Sequence, residues 1–154
     1  MNQPNQSLVD DIEQRIRDDS DELISLRRHF HAHPELSHQE FETTATLAER
    51  LEELGFDVHV RAVGTGLYAD LAPDDFDPRA DPTVAIRSDI DALPIEEQND
   101  VPYASTEEGV MHACGHDVHM AIVTGSGRAI RAVREHLPGR LRLIFQHAEE
   151  EVSG

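Results

Sequence analysis

The chain has 154 residues, of which 31 are acidic and 13 are basic, so its formal net charge at pH 7 is −18. A surface this acidic repels phosphate groups, which argues against nucleic acid and anionic membranes as partners. No segment approaches the ~18 apolar residues of a membrane span, and the length suffices for one domain with a core of its own.

The acidic residues are spread along the whole chain, so we expect most of them to be solvated. This distribution resembles that of proteins from salt-loving organisms, where high ionic strength screens the repulsion. The start, "MNQPNQSLVDD", has no basic segment followed by an apolar run, so the sequence predicts a soluble cytoplasmic protein. Cys114, the single cysteine, is predicted to be a buried thiol, a reactive thiol or a metal ligand.

Apolar residues at helical spacing predict two helices in the first third of the chain. The first begins at Ser7 and ends before Pro34, and the second extends from about His38 to Leu54, where Gly55 stops it. The inward side of the second helix is expected to be formed by Phe41, Ala45, Ala48, Leu51 and Leu54.

Strands dominate the middle of the chain. "FDVHVRAV" and "LYADLA" flank "GTG" and predict a hairpin, and the proline-containing "DDFDPRADP" predicts a surface loop. Residues 83–86 predict a buried strand. A helix from Val118 to about His136, with an apolar stripe of Val118, Ile122, Gly125, Ala129 and Val133, precedes a strand at "RLRLIFQ". This order predicts an α/β fold with helices packed on a mixed sheet.

Three polar clusters follow predicted strands or precede the last helix. Cys114 and His116 offer a thiolate and an imidazole, which are zinc ligands, although cysteine and histidine are often merely packed. Glu149 and its neighbour Glu150 follow a strand end; adjacent side chains there point in different directions, so one carboxylate can bind a metal while the other reaches its water.

The third cluster, Asp89 and Asp91, lies just past the strand at residues 83–86. Two carboxylates in this position can orient an imidazole that binds a metal. The alternative is a pair of turn-forming aspartates ahead of Pro94.

The segments "RRHFHAHPELSHQE", "SDIDALPI", "HACGHDVHMA" and "FQHAEE" occur in this order. Together they resemble the co-catalytic metallopeptidase family of aminoacylases and zinc carboxypeptidases. Within this family the sequence is most similar to the N-acyl-amino-acid amidohydrolase subgroup, which includes hippurate hydrolases and auxin-conjugate hydrolases. Several motifs in one order are more specific than any one alone.

The resemblance implies a phosphorylase/hydrolase-like catalytic domain that holds two divalent metal ions, Zn²⁺ or Mn²⁺, with Co²⁺ as a further candidate. It implies that Cys114, His116 and Glu150 are metal ligands and that Glu149 is the general base. The implied substrate is a small N-acyl amino acid or a peptide-like compound, and the implied reaction is hydrolysis of its amide bond.

The "DALP" segment has two further implied roles. Asp91 matches an aspartate that orients a group of the site, and Asp89 stands where distant relatives carry a ligand histidine. In contrast, His147 replaces the family's usual proline, and we expect its side chain to be exposed. Glu151 is expected to be a solvated acid, and the roles of His112 and His119 stay open.

Members of this family are more than twice as long as this chain. Residues 1–154 are therefore expected to form the amino-terminal part of the catalytic domain. The lid domain, through which full-length members form homodimers, and the carboxyl-terminal part with its ligand histidines are expected to be absent. Acyl and amino-acid specificity is expected to reside largely in the absent parts.

Three alternatives stay open at this level. Cys114 could be the nucleophile of a cysteine hydrolase, but a reactive thiolate needs positively charged surroundings that this acidic chain does not offer. The Cys and His residues could form a closed, noncatalytic metal site with four protein ligands. The chain could also be an inactive fragment of an enzyme.

Overall fold

A computed structural model describes residues 6–151 of the chain. It contains four α-helices, one 3₁₀ turn and a four-stranded mixed sheet within that range, which confirms the predicted fold class. The elements are α1 Gln6–Asp18, α2 Ser20–Ala32, α3 Phe41–Glu53, β1 Asp57–Val60, β2 Leu67–Leu71, β3 Thr83–Asp89, α4 His116–Arg131, the 3₁₀ turn Arg134–His136 and β4 Arg140–Gln146.

The single helix predicted before Pro34 is in fact two helices, α1 and α2. They are separated at Asp19, in an Asp-Asp-Ser sequence whose side chains favour caps and turns over helix interiors. The side chain of Asp19 instead forms an ion pair with Arg128 of α4, at 2.9 Å.

Helix α3 begins later than predicted, because His38 adopts a left-handed conformation with φ of 66°. The Glu35 carboxylate accepts the backbone N–H groups of Glu42 and Thr43, at 3.1 and 2.7 Å, and so satisfies the first turn of the helix. Phe41 was expected to face inward, but 51% of it is exposed. The buried side of α3 is formed by Thr43, Thr44, Leu47 and Leu51.

The strand order in the sheet is β1-β2-β4-β3. The predicted hairpin is confirmed: β1 pairs antiparallel with β2, and β2 pairs antiparallel with β4. Strand β3 pairs parallel with β4, from the Thr83–Arg140 rung to the Asp89–Gln146 rung. Because two parallel strands end at the same edge, the polar residues that follow β3 and β4 are brought together there.

The core lies between the sheet and the helices. Alternation in β4 buries Leu141, Leu143 and Phe145, which pack with residues of β2, α2, α3 and α4. The prediction that residues 83–86 are buried was wrong, because β3 is an edge strand of the described sheet and Val84 is 63% exposed.

The apolar stripe predicted for α4 was wrong in part, because Val118 and Ile122 are exposed. The buried side of α4 instead includes Met120, Val123 and Gly127. A Cβ atom at Gly127 would lie 2.7 Å from Cδ1 of Leu143, so the missing side chain lets the helix approach the sheet closely. Within residues 6–151, no helix has the length and apolar character needed to cross a bilayer.

We predict that Gly139→Ala destabilises the fold by about 1–3 kcal/mol, because overpacking at a fixed backbone position costs that much. A Cβ atom at Gly139 would lie 2.2 Å from the carbonyl oxygen of Pro82, at the first rung between β3 and β4. The measurement is the midpoint of denaturant-induced unfolding. An unchanged midpoint would show that this end of the sheet is not closely packed.

Candidate metal centre

The loop that carries Cys114 enters α4 through a glycine that adopts a conformation other residues rarely adopt. Gly115 has φ of 90° and ψ of 20° at the amino-terminal cap of α4. Cys114 is exposed just before it, and the buried His116 is the first residue of the helix. This turn brings the Cys114 and His116 side chains to one place.

The glutamates reach the same place from β4. The strand ends at Gln146, and Ala148, with φ of 48°, bends the chain. Glu149 Oε2 and Glu150 Oε1 each lie 3.8 Å from Nε2 of His116. In a regular strand, adjacent side chains point in opposite directions. The left-handed conformation of Ala148 interrupts this alternation, so the carboxylates of Glu149 and Glu150 can approach the same nitrogen.

His116 is oriented by Asp91. Its Nδ1–H donates to the Asp91 carbonyl oxygen at 2.8 Å, so Nε2 is the nitrogen that faces Glu149 and Glu150. Burial by itself would lower the pKa of His116, but the hydrogen bonds to the side chain and the carbonyl of Asp91 outweigh burial and raise this pKa.

The carboxylate of Asp91 is buried and accepts two hydrogen bonds at Oδ2. The donors are the Ser37 hydroxyl, at 2.7 Å, and the Glu150 backbone N–H, at 2.9 Å. Burial would raise the pKa of Asp91, but hydrogen bonds from His116, Glu150 and Ser37 hold it well below the usual range, so the carboxylate stays ionised.

Two groups of side chains in the described part of the chain have the residue types and proximity to hold a metal ion, and they share His116. Potential ligand atoms lie within 4.8 Å of one another in Cys114, His116 and Glu150, and likewise in Asp89, His116 and His119. His116 has only Nε2 to offer, and the Arg87 guanidinium already binds Asp89 Oδ1, at 2.7–2.8 Å. The Cys114 group therefore fits a cation better.

Glu150 supports the same choice. Its Oε1 atom is buried and has no hydrogen-bond partner among the residues that the structure describes. A buried, unpaired carboxylate oxygen is unfavourable unless a cation or another donor satisfies it. The structure thus places an unsatisfied anionic ligand beside an imidazole nitrogen and a thiol.

The charges around Cys114 oppose thiolate formation in the metal-free chain. Although the residue as a whole is exposed, partial desolvation of the thiol, followed by the neighbouring Glu150, Glu149 and Asp89, raises the pKa of Cys114. A nucleophilic cysteine needs a lowered thiol pKa, so the acidic surroundings of Cys114 do not favour the cysteine hydrolase.

Two other histidines lie near the site. His112 is buried, its ring nitrogens have no hydrogen-bond partner in the described residues, and burial lowers its pKa to about 4. The expectation that His147 is exposed was wrong: the side chain is 4% exposed. It packs against Gly66, where a Cβ atom would lie 3.3 Å from Cβ of His147, and against the ring of His38. Burial lowers the pKa of His147.

The histidines of the "RRHFHAHPE" segment lie outside this group of ligand atoms. His31 is buried, and its Nδ1 lies 2.7 Å from Oδ2 of Asp117, the second residue of α4. Arg27 binds the same oxygen at 2.8 Å. This network joins α2 to the start of α4.

Comparison with known proteins identifies the family. Residues 85–154 match the model of Peptidase family M20/M25/M40. N-acetyl-L-cysteine deacetylase of Bacillus subtilis is 47% identical over 86% of this chain and 31% of its own length. N-acyl-L-amino acid amidohydrolase of Geobacillus stearothermophilus is 40% identical over 94% of this chain and 38% of its own length. The matched residues are those of an M20 peptidase domain.

Solved structures agree with this assignment. The chain superposes with a TM-score of 0.80, at 45% identity, on the Bacillus subtilis YXEP protein, described as a dinuclear metal-binding peptidase of the M20 family. The match covers 86% of this chain and 36% of that protein. The chain therefore spans about a third of the length of these relatives.

We predict that Glu150→Gln makes Cys114 of the metal-free chain react faster with iodoacetamide at pH 7. The neighbouring carboxylate helps to raise the thiol pKa, so removing its charge lowers this pKa and increases the thiolate fraction. The measurement is the alkylation rate from pH 6 to 10. The increase of this rate with pH should occur at lower pH in the variant than in the unaltered protein. Glu151→Gln, at an exposed position, is the control and should leave the profile unchanged.

Proposed function

We propose that the protein is a metal-dependent hydrolase that cleaves the amide bond of N-acyl amino acids. The observation that carries the proposal is the convergence of Cys114, His116 and Glu150 within 4.8 Å, with Glu149 Oε2 only 3.8 Å from the same His116 nitrogen. The deacetylase and amidohydrolase relatives support this reaction class.

Cys114, His116 and Glu150 would hold a divalent ion. Their thiolate, imidazole and carboxylate groups are ligand types that zinc accepts, and the unpaired Glu150 Oε1 is the atom that most needs a cation. Bound divalent ions supply Lewis acidity, which polarises a carbonyl group and makes a water molecule more acidic. A second ion is proposed from the dinuclear description of the solved relative.

Glu149 is proposed as the general base. Its carboxylate lies beside His116 without being one of the three clustered ligands, and its side chain is 40% exposed. One Oε atom would take a proton from the attacking water and later give it to the departing amine. Asp91 would keep His116 in the tautomer that leaves Nε2 free, because its carbonyl accepts the Nδ1 proton.

The finer assignments are part of the same proposal. The thiolate favours zinc, whereas the carboxylates tolerate Mn²⁺ or Co²⁺. Asp89 would act near the metal without binding it, because Arg87 already neutralises its carboxylate. The acidic surface, with a net charge of −18, suits a cytoplasm of high ionic strength.

We also propose that residues 1–154 form the amino-terminal part of a larger catalytic domain. The relatives, which are about three times as long, support this arrangement. Further ligands, a lid domain and the surface for a homodimer would then lie outside these residues. A closed Cys/His site is less favoured, because such a site needs four protein ligands, and the clusters in the described residues offer three each.

We predict that Cys114→Ser and Glu150→Gln each weaken Zn²⁺ binding by at least about tenfold, because each removes a ligand atom. Titration calorimetry of the purified protein in high salt measures affinity and stoichiometry. Glu151→Gln, whose carboxylate is exposed, is the matched control and should bind like the unaltered protein. Affinity that is equal in all four proteins would contradict the assigned ligands.

We predict that Glu149→Gln lowers kcat by about 10²–10⁴-fold while metal stoichiometry stays unchanged, because it removes the base and not a ligand. The measurement is hydrolysis of a panel of N-acetyl and N-benzoyl amino acids. Hydrolysis at the full rate by Glu149→Gln would assign the base to another residue, whereas absence of hydrolysis by the unaltered, metal-loaded protein would contradict the proposed reaction.

A further inference from the structure

The segment between α2 and α3 supports the turn that carries the glutamates. We define the support loop as residues 35–40 and the glutamate turn as residues 147–150. Ser37 and Glu40 of the support loop are 8% and 0% exposed. Both belong to the "HPELSHQE" motif, and neither has a role in the proposed chemistry.

Glu40 holds the glutamate turn directly. Its Oε1 accepts the backbone N–H of Ala148 at 2.7 Å, across 108 positions of sequence. Ala148 is fully buried and has φ of 48°, a conformation that is unfavourable for a residue with a Cβ atom. The turn therefore depends on surrounding contacts, and the Glu40 hydrogen bond is a contact to the strained residue itself.

The other end of the glutamate turn is held by the same loop through Asp91. Ser37 donates to Asp91 Oδ2, and this oxygen also accepts the N–H of Glu150. The N–H groups on either side of Glu149 are thus bound by two buried carboxyl groups, Glu40 and Asp91. These two hydrogen bonds fix the direction in which the Glu149 and Glu150 side chains leave the backbone.

Glu40 is itself rigidly placed. It precedes the first residue of α3, and its carbonyl accepts the hydroxyl of Thr44, which in turn accepts the N–H of Gly66 at 2.9 Å. Its Oε2 is buried without a partner in the described part of the chain, an arrangement that costs free energy. An apolar side chain would avoid this cost but would leave the Ala148 N–H unsatisfied.

We propose that Glu40 is a positioning residue, which acts through the Ala148 N–H to direct Glu149 and Glu150 towards His116. The inference rests on the proposed function, in which these glutamates are base and ligand. What matters is the acceptor oxygen at this position, so a glutamine, which keeps a carbonyl oxygen at the same reach, should serve in its place.

The experiment compares Glu40→Ala and Glu40→Gln in the protein as its gene encodes it. Glu40→Ala is expected to lower kcat at least about tenfold with little change in KM, because a small displacement of a reacting group is costly. Zn²⁺ affinity should fall as well, since Glu150 moves with the turn. Glu40→Gln should restore both quantities to near the unaltered values.

Glu35→Ala is the matched control. It removes hydrogen bonds from the same loop to the start of α3 but leaves the glutamate turn intact. It should lower the midpoint of unfolding without changing kcat or Zn²⁺ affinity. A Glu40→Ala protein that is folded and equal to Glu35→Ala in both quantities would overturn the inference, as would a Glu40→Gln protein as defective as Glu40→Ala.

Ala148→Gly tests the route of the effect. Glycine adopts positive φ without strain, so the turn should depend less on Glu40. The fold-loss of Zn²⁺ affinity in the double variant Glu40→Ala/Ala148→Gly is therefore expected to be smaller than the product of the fold-losses in the two single variants. A double variant whose fold-loss of Zn²⁺ affinity equals that product would overturn the proposed route.

Amide hydrogen exchange at Ala148 separates this inference from the proposed function. The N–H should be protected in the unaltered protein and in Glu40→Gln, and exchange faster in Glu40→Ala, whether or not the protein hydrolyses any substrate. Exchange that is equal in all three proteins would overturn the inference even if amide hydrolysis is found. Absence of hydrolysis with the expected exchange pattern would instead count against the proposed function alone.

Discussion

The hydrogen bonds of Asp91 are the interaction on which the site depends. Its carbonyl fixes the ring of His116 at the start of α4, and its carboxylate binds the Glu150 N–H after β4 and the Ser37 hydroxyl after α2. Three segments that are distant in sequence therefore meet at one buried residue of a fourth. This arrangement is possible because β3 and β4 are parallel neighbours that end at the same edge.

The site concentrates negative charge around one nitrogen of His116. Two carboxylates lie 3.8 Å from one imidazole nitrogen, and a thiol with a raised pKa lies beside them. Because both carboxylates lie near one nitrogen, their negative charges repel each other. A divalent cation bound here, as proposed, would offset this repulsion.

Local patterns account for what the sequence predicted. The alternation of Leu141, Leu143 and Phe145 indicated β4, and the turn glycines of the "GTG" segment indicated the hairpin. The ligand candidates were found because cysteine, histidine and adjacent glutamates are unusual residue types at strand and helix ends. Their convergence could only be expected from the resemblance, because the parallel register of β3 on β4 is not encoded in either strand alone.

The errors and omissions arise from long-range packing. His147 follows a strand in a polar sequence, yet it is buried because Gly66 of another strand region approaches it. Phe41 and Val118 satisfied helical periodicity but are exposed. The role of Glu40 depends on a hydrogen bond to Ala148 and on the left-handed conformation of that alanine, and neither is visible in a local pattern.

The central claim is that the "CGHD" loop and the glutamate turn bind one ion. X-ray absorption spectroscopy at the zinc edge of the Zn²⁺-loaded protein tests it most directly. We predict one sulfur ligand at about 2.3 Å together with nitrogen and oxygen ligands at about 2.0–2.2 Å. The sulfur contribution should vanish in Cys114→Ser, and an oxygen contribution should decrease in Glu150→Gln. A zinc site without sulfur, or one unchanged by Glu150→Gln, would contradict it.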